Sequence, residues 1–413
     1  MSSSCPGSGR EAPELDSPYN KHWRVTSLNR VYMDANATTP LLPEVVEAMR
    51  PYWTEVFGNA SSIHRQGQEA RKAVDHAREA LARLFNCREA EVVFNSGGTE
   101  GDNTAIFGLL RAGDQLITTS IEHSAVLRAA ERVAERGVEV TFVGPRPDGL
   151  IDPAEIRRAL QPNTRVGDSR RTLISVMLAN NETGVLQPVE EIGKIAADAK
   201  AFFHIDAVQG AGKVAIDVRR IGCHLMSISA HKLHGPKGVG AMYVRRGTPI
   251  DPLLVGGSHE RRQRAGTENV SGIVGMGRAV ELAMESLEDG TIERLAKLRD
   301  RLEAGLLSVE GTKANGVGAP RTANTTNITF DQLEGEALVI ALDLKGVAVS
   351  GGSACHSGAT EPSHVLMAMG LDRHAALASL RFSLLKTATE ADVDYVLSVV
   401  PQAVERLRAL APA

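Results

Sequence analysis

The stretch "SISAHKLHGPKGVGAMYV", residues 227–244, contains two apolar runs separated by a lysine, two histidines and a glycine-rich loop. Both runs have the composition of buried strands. Lys232 follows the first run, and the end of a strand can place a lysine in a pocket where it loses hydration. Such a lysine is a candidate for forming a Schiff base. An ordinary surface lysine is the alternative, and Lys237 in the same loop is a competing candidate.

Apolar and β-branched runs recur along the first two thirds of the chain, and we predict that seven of them are buried strands. They occupy residues 91–96, 115–120, 139–144, 172–178, 201–206, 225–230 and 240–245. Helical patterns at 67–85, 124–137 and 189–200 lie between many of these runs. The alternation predicts an α/β domain built on a mostly parallel sheet.

The last third of the chain has a different pattern. Apolar residues at helical spacing predict one long helix over residues 272–309. Beyond it, four more apolar runs indicate a smaller α+β unit. These runs occupy residues 324–330, 337–344, 347–352 and 378–385. We therefore predict a flexible tail over 1–28, a large domain over 29–285 and a small C-terminal domain over 286–413.

Composition excludes several classes of function. The 413-residue chain has a net charge of −4 and no long basic run, so nucleic acid and anionic membranes are poor candidates for its main partner. The longest apolar runs are too short to span a bilayer. The polar first 30 residues lack the apolar segment of a secretory signal, and their acidic residues argue against a transit peptide. Four scattered cysteines without a CxxC pair indicate neither a disulfide framework nor a zinc site, so we predict a reducing, cytoplasmic location.

Cys355 lies in "SGGSACHSGATEPSH", residues 350–364, among glycines, serines and a histidine. A structural cysteine usually has apolar neighbours, and none is close in sequence here. Glycines make such a segment easy to move, so we interpret Cys355 as a nucleophile that approaches a second site. An exposed thiol without a role is the alternative. Cys87 and Cys223 fit packing roles better.

Two motifs indicate what Lys232 could bind. Asp206 ends a predicted strand in "HIDAVQ" (204–209), where α/β folds place ligand-binding groups. A carboxylate there could pair with the pyridinium nitrogen of pyridoxal phosphate (PLP), although a cap or turn is the commoner use. In "FNSGGTEGDN" (94–103) a strand runs into glycines and a helix N-terminus, which suits a phosphate. A tight turn capped by Thr99 is the alternative.

Polar side chains follow two more of the predicted strands. His123 in "SIEHSAV" (120–126) could stack on a planar ring and move protons near neutral pH, with an ordinary surface histidine as the alternative. "LANNETG" (178–184) places two amides at a strand end, where they could donate to a ring oxygen or a carboxylate. Asparagines also form turns without any ligand.

In their order along the chain, these motifs resemble those of the cysteine desulfurases, PLP-dependent enzymes of the class-V aminotransferase fold. The resemblance covers about residues 31–410. The matching segments are "YMDANATTP" (32–40), "FGNASSIH" (57–64), "SGGTEGDN" (96–103), "EHSAV" (122–126), "ANNETG" (179–184), "HIDAVQ" (204–209), "SAHKLHGPKGVG" (229–240), "GGSHERRQRAGTEN" (256–269), "SGGSACHSGATEPSHVL" (350–366) and "LRFSL" (380–384). The resemblance implies a PLP-dependent transferase of fold type I, similar to aspartate aminotransferase, with a large domain of mostly parallel sheet and a smaller α+β domain.

The resemblance also implies a role for each matching residue around the cofactor ring. Lys232 would form the Schiff base with PLP, and Asp206 would hold the pyridine nitrogen. His123 would stack on the ring and assist proton transfer. Gln209 would contact the phenolic oxygen, and Cys355 would accept the sulfur as the nucleophile.

Two further groups of residues are implied for the phosphate and the substrate. The phosphate would be held by Gly98, Thr99, Ser229 and His231, with Thr267 reaching it from the other subunit of a homodimer. The substrate carboxylate would be received by Asn36, Asn181 and Arg381, where a planar guanidinium suits a bidentate contact. Asn181 is expected to contact the cofactor as well.

The implied reaction converts L-cysteine to L-alanine and leaves the sulfur on Cys355 as a persulfide, for which a thiolate is needed. The resemblance is closest to the branch with a longer cysteine loop, which supplies sulfur for iron–sulfur or nitrogenase clusters. Expected partners are therefore L-cysteine and a sulfur-acceptor or iron–sulfur scaffold protein, without nucleic acid or membrane.

Two other functions compete with this hypothesis. His356 stands where the family more usually has Thr or Arg, and this loop is similar to that of selenocysteine lyases, which release selenide and alanine. The following "GATEPSHVL" favours the desulfurase branch. A non-catalytic scaffold that binds a cluster-assembly partner is the third hypothesis. Retention of four residues together argues against it, namely Lys232, Asp206, His123 and Cys355.

Overall fold

The largest sheet has seven strands, and each lies within one of the seven runs predicted from the sequence. The computed structural model describes residues 30–160, 170–351 and 361–410. Its strands are β1 (Val31–Tyr32), β2 (Val92–Asn95), β3 (Gln115–Thr119), β4 (Glu139–Val143), β5 (Thr172–Met177), β6 (Phe202–Asp206), β7 (Leu225–Ser229), β8 (Gly240–Val244), β9 (Thr312–Asn315), β10 (Thr325–Phe330), β11 (Val347–Ala348), β12 (Ser350–Gly351) and β13 (Ser379–Ser383). The large sheet has the order β2-β8-β7-β6-β5-β3-β4. Strand β8 runs antiparallel to both neighbours and the other pairs are parallel, so the predicted mostly parallel α/β sheet is confirmed.

Helices alternate with these strands. They are α1 (Pro43–Met49), α2 (Pro51–Thr54), α3 (Arg65–Phe85), α4 (Gly98–Leu109), α5 (Ser124–Ala134), α6 (Pro153–Ala159), α7 (Val189–Asp198), α8 (Val218–Ile221), α9 (Val270–Glu288), α10 (Thr291–Leu307), α11 (Gly335–Asp343), α12 (His364–Ala368), α13 (Arg373–Leu377) and α14 (Glu390–Leu410). Short 3₁₀ turns occur at Glu89–Glu91, Ala230–Lys232 and His259–Arg262. Helices α3, α5 and α7 match the three helical patterns of the first domain. Each buries an apolar face, such as Val74, Leu81 and Phe85 of α3.

The single long helix expected over 272–309 is wrong, because the chain forms the two helices α9 and α10 there. Gly290 separates them in the left-handed region, at φ 85°, a conformation that a continuing right-handed helix cannot contain. The Asp289 side chain then accepts a hydrogen bond from the backbone N–H of Thr291 at the start of α10. Apolar spacing continued through this break, so periodicity alone did not reveal it.

Two main groups of buried apolar side chains support the fold. The larger surrounds the seven-stranded sheet and includes Phe85, Ile117 and Phe203. The second lies around a four-stranded antiparallel sheet of order β12-β13-β10-β9, with Phe330 and Phe382 at its centre. Strand β1 pairs with β11, and Val31 and Met33 pack in this second group. The domain limits at 28 and 285 remain predictions.

No bilayer-crossing helix and no metal-binding cluster of side chains occurs among the described residues, which include two of the four cysteines. Within residues 30–160, 170–351 and 361–410, no helix combines the length and hydropathy that a bilayer crossing requires. In the same ranges, no group of His, Cys, Asp and Glu is arranged to hold a metal. Cys223 is fully buried and Cys87 is half-buried, and burial raises the pKa of each thiol to about 12. Both therefore behave as packing residues. Cys5 and Cys355 lie outside the described residues.

Candidate active site

The sheet topology brings the predicted residues to one edge. Strands β3, β5, β6 and β7 are parallel, so their carboxyl ends lie side by side. Asp206 and Ser229 are the last residues of β6 and β7, and His123 follows β3 as the N-cap residue of α5. Open α/β sheets bind ligands along this edge.

Lys232 lies in the 3₁₀ turn directly after β7 and reaches the N-terminal segment of the chain. Its Nζ donates to the carbonyl oxygens of Asn36 at 2.6 Å and Ala37 at 2.7 Å. The turn itself is held because Thr39 Oγ1 donates to the His231 carbonyl at 2.9 Å. The competing candidate, Lys237, lies on the exposed surface of the following loop. The geometry therefore places Lys232, and not Lys237, among the other candidate residues.

Asp206 is buried, and its Oδ1 accepts a hydrogen bond of 2.9 Å from the Val208 N–H. Burial raises the pKa of this carboxyl group, while the charges of His123 and Lys232 act in the opposite direction. A cationic partner at this carboxylate would be stabilised, because it would compensate a charge that is otherwise removed from water. A pyridinium nitrogen is such a partner.

Behind Asp206 lies a buried polar layer that sequence reasoning missed. Asp102 of α4 is 1% exposed, and its Oδ1 has no hydrogen-bond partner among the described residues. Burial and the charge of Asp206 raise the pKa of Asp102 well above its usual value. His204 of β6 contacts Ser175 Oγ at 2.9 Å and Ser227 Oγ at 3.0 Å, and burial lowers its pKa to about 3. For His204 the sequence signal was a polar residue inside an apolar run, and Asp102 had no comparable signal.

The N-terminus of α4 has the shape that a phosphate site requires. Gly97 precedes the helix with φ 148° and ψ −177°, and a Cβ there would lie 3.4 Å from Ser229 Oγ. A Cβ on Gly98 would lie 2.5 Å from a methyl carbon of Val208, so this position requires glycine. Thr99 is the second residue of the helix and does not cap it. Free N–H groups and the helix dipole at this end attract anions.

His123 and His231 are held in defined orientations. The Nδ1 atom of His123 accepts a hydrogen bond from the Ala125 N–H at 3.1 Å, so the neutral ring carries its proton on Nε2. Burial lowers the pKa of His123, and the negative charge of Asp206 acts in the opposite direction. His231 contacts Thr38 Oγ1 at 3.1 Å, and burial lowers its pKa to about 4. Both imidazoles are therefore neutral at pH 7.

Asn36 is the centre of a hydrogen-bond network rather than an open donor. Its Nδ2 donates to the Asn181 carbonyl at 3.0 Å and to Thr325 Oγ1 at 2.9 Å. Its Oδ1 accepts from Lys213 Nζ at 2.8 Å and from Asn324 Nδ2 at 3.2 Å. Both amide protons are thus used by the protein itself. A direct contact of this side chain with a substrate carboxylate stays a prediction that would need this network to rearrange.

Arg381 lies beside the same backbone carbonyl. One Nη donates to the Asn181 carbonyl at 3.0 Å, and the other pairs with Asp34 at 2.6 Å. Its buried Nε has no acceptor among the described residues. A buried donor without a partner is costly, so a ligand carboxylate here would be stabilised.

Gln209 completes the group of residues that the structure brings together. Its Nε2 donates to the Asn36 carbonyl and its Oε1 accepts from Lys213, each at 2.8 Å. Lys213 was not expected from the sequence, and its spacing of four residues from Gln209 was the available signal. Thr267, in contrast, is exposed in this single chain.

The amino-acid sequence matches a family model for class-V aminotransferases over residues 31–396. It is 48% identical over 391 residues to cysteine desulfurase IscS of Methanosarcina thermophila, covering 94% of this chain and 95% of the relative. It is also 48% identical over 383 residues to a cysteine desulfurase of Bradyrhizobium diazoefficiens, covering 92% and 95%. The chain belongs to the cysteine desulfurase family of class-V aminotransferases. Enzymes of this family are generally PLP-dependent.

Solved structures agree with this membership of the cysteine desulfurase family. A NifS-like protein is 36% identical with a TM-score of 0.84, covering 92% of this chain and all of the other. SspA in complex with cysteine is 33% identical with a TM-score of 0.75, covering 86% of this chain and 98% of the other. The predicted fold class is therefore confirmed by relatives as well as by topology.

Cys355, the nucleophile expected for a cysteine desulfurase, lies outside the described residues, but the chain on both sides of it is described. Before it, β12 pairs with β13, and Ser350 lies opposite Arg381. After it, Ser363 Oγ donates to the buried Glu182 carboxylate, and His364 Nε2 lies 2.9 Å from the Glu122 carbonyl oxygen. Both ends of the cysteine segment are thus attached beside the candidate site.

Proposed function

We propose that this chain converts L-cysteine to L-alanine with PLP as cofactor and transfers the sulfur to Cys355 for delivery to an acceptor protein. The observation that carries the proposal is the meeting of three features at one sheet edge. Lys232 and Asp206 lie there, Arg381 supplies an unpartnered buried donor, and both ends of the Cys355 segment are attached beside them.

The residues at the sheet edge fit PLP. Lys232 would bind it covalently and Asp206 would pair with its ring nitrogen. The N-terminus of α4 at Gly98 and Thr99, together with Ser229 and His231, would hold its phosphate, and the close glycine approach supports this placement. Gln209 would contact the phenolic oxygen. When bound, PLP supplies an electron sink that stabilises negative charge on the substrate carbon.

The residues of this chain then position the substrate and move its protons. Arg381 binds the carboxylate, for which its buried Nε is available. Lys232 Nζ accepts the α-proton as general base. His123, neutral and protonated on Nε2, has a proton to donate on the side of the ring away from the Ala125 N–H. The backbone carbonyl of Asn181 accepts from Arg381 and so orients the guanidinium that receives the carboxylate.

Sulfur transfer requires the thiolate of Cys355. The thiolate forms a bond to the substrate sulfur while the carbon–sulfur bond breaks, and the electron pair of that bond stays with carbon, where a proton yields alanine. Cys355 comes four positions after Gly351, the last described residue before it. A chain of that length can extend about 14 Å, enough for the thiol to reach the edge where Arg381 lies.

We also infer a homodimer in which Thr267 reaches the phosphate of the other subunit. Thr267 is exposed, and Arg71 links its neighbour Glu268 to the carbonyl of Ala60. Large apolar side chains are exposed around these segments, namely Phe57, Ile63 and Val255. Apolar surface of this kind is typical of a subunit interface. A Val255→Asp variant should shift the protein towards monomers in sedimentation velocity; a wild type that is monomeric and fully active would contradict the inference.

The reaction is tested by treating the PLP-loaded protein with L-cysteine. We expect one extra sulfur atom on the peptide that contains Cys355, and alanine in the solution. Cys355→Ser should lose both, whereas Cys87→Ser, at a half-buried thiol, should retain them. Alanine formation without sulfur on Cys355 would overturn the proposed role of this thiol.

Selenocysteine lyase remains the alternative within the same chemistry, and the relatives named cysteine desulfurase do not favour it. The two are separated by comparing L-cysteine with L-selenocysteine as substrates. Selenide release that survives in Cys355→Ser, combined with negligible turnover of L-cysteine, would favour the lyase. We retain the cytoplasm as the proposed location.

A further inference from the structure

Lys213 makes two polar contacts with residues of the candidate site. Its Nζ lies 2.8 Å from Asn36 Oδ1 and 2.8 Å from Gln209 Oε1. A lysine ammonium group only donates hydrogen bonds, so both amides must turn their oxygen atoms towards it. Lys213 therefore helps to orient both amide groups, together with Asn324, which donates to the same Asn36 oxygen.

This orientation has a consequence for Lys232. With its oxygen on Lys213, Gln209 directs Nε2 to the Asn36 carbonyl at 2.8 Å. The same carbonyl accepts from Lys232 Nζ at 2.6 Å. Lys213 thus connects the segment that follows Asp206 with the N-terminal turn on which the Lys232 amine rests. It sets the spacing between the two.

Burying a lysine at this position is costly. Burial and the charges of Lys232 and Arg381 lower the pKa of Lys213 to about 7. Three cationic side chains in one region repel each other, and removing a charge from water costs further free energy. Buried groups with shifted pKa values of this kind cluster at functional sites.

We propose that Lys213 is a positioning residue for the desulfurase reaction, which holds the amides of Asn36 and Gln209 and so aligns the Lys232 turn with the segment after Asp206. The proposal rests on the proposed function, because the aligned residues are those assigned to PLP and to the substrate. Its physical content is a pair of donor contacts that an apolar side chain of similar length cannot make.

Lys213→Met is the test, because methionine has similar length and no donor. Lys386→Met is the matched control. Lys386 lines the same small cavity of about 50 Å³, but its Nζ donates to the Leu282 carbonyl and Ser286 Oγ instead of to site residues. Two quantities are measured: kcat/KM for L-cysteine, and the affinity of the PLP-free protein for PLP by absorbance titration.

We expect Lys213→Met to lower kcat/KM by about 10- to 100-fold, the usual consequence of losing hydrogen bonds from a charged donor. PLP binding should weaken by about tenfold for the same reason. Lys386→Met should change both quantities by less than about twofold, because it contacts no site residue. Lys213→Arg should recover part of the loss, because a guanidinium group also only donates.

The proposal is overturned if Lys213→Met matches Lys386→Met in both quantities, or if it lowers the melting temperature while kcat/KM and PLP affinity stay at wild-type values. If the methionine variant does not fold, Lys213→Gln and Lys213→Arg replace it. The proposal then requires the arginine variant to bind PLP more tightly than the glutamine variant. A wild type that makes no alanine from L-cysteine would overturn the proposed function. The PLP titration would still decide the role of Lys213.

Discussion

The buried polar layer behind Asp206 and the exposed segment 253–267 differ in how much of their surface the chain itself covers. In the first, Asp102 and His204 are enclosed by the chain's own sheet and helices. In the second, Val255 is 82% exposed, and three consecutive residues, 260–262, have positive φ angles between 44° and 69°. One region is complete within a single chain, whereas the other presents apolar surface and strained backbone to the outside.

This difference indicates which site residues are positioned by the core of the chain itself and which would be positioned by a second copy. The cofactor ring would be held by groups whose positions the core determines, so their geometry does not require a second chain. The exposed segment is attached to the rest of the chain by a few polar contacts. The Glu260 carboxylate accepts from the Arg78 guanidinium and the Phe94 N–H, and Arg264 donates to the Glu100 carboxylate. We infer that a second copy completes this part. Substitutions in the two regions should therefore differ in what they disturb.

The largest effect is expected at the centre of the buried region. Lys232→Ala should abolish alanine formation, with a loss of at least about a thousandfold in kcat, because the covalent attachment and the general base are both removed. The purified variant should also lose the yellow colour of bound PLP in its absorption spectrum. Lys237→Ala, five residues later on the exposed loop, is the control and should keep colour and activity. Retained activity in Lys232→Ala would remove the basis of the proposed mechanism.

The buried ion pair that attaches the exposed segment to α3 should give the next largest effect. The Arg78 and Glu260 side chains are 4% and 3% exposed, and they meet at 2.7 Å. Arg78→Met would leave the Glu260 carboxylate buried without its cation, which costs about 3–5 kcal/mol of unfolding free energy. Urea unfolding of the PLP-free protein measures this loss. Replacing Glu260 by Met as well should recover part of it; equal losses in the single and double variants would show that the unpaired charge is not the cause.

The pH dependence of stability in Asp102→Asn tests the contrast between buried and exposed carboxyl groups. The pKa of Asp102 is raised in the folded state above its ordinary 3.8, so its contribution to stability is present below about pH 4 and is lost as pH rises through the folded pKa. The asparagine variant does not titrate there. Its melting temperature relative to wild type should therefore increase between about pH 4 and pH 8. Asp251→Asn, at an exposed carboxylate, is the control, and a constant difference for Asp102→Asn would contradict the burial argument.

Sequence reasoning located strands better than contacts, for a physical reason. Each strand of the large sheet is an apolar run of its own, and motifs at strand ends are local, so both were visible. The network around Asn36 was not, because its partners Asn181, Lys213 and Thr325 are far away along the chain. Asp102 and His204 were missed for the same reason: their burial depends on which elements pack over them. The helix break at Gly290 was missed because apolar spacing does not detect a left-handed residue.

Removing a surface ion pair should have the smallest effect on the free energy of unfolding, and it provides the exposed counterpart of the buried Arg78–Glu260 pair. Arg220 and Glu190 meet at 2.9 Å, much like Arg78 and Glu260, but their side chains are 72% and 44% exposed. Water already solvates both charges, so Arg220→Gln should change the free energy of unfolding by less than about 0.5 kcal/mol, and the change should shrink as salt is added. The same urea titration measures it. A loss as large as that of Arg78→Met would mean that burial does not determine the strength of these pairs, and the contrast between enclosed and exposed regions would no longer hold.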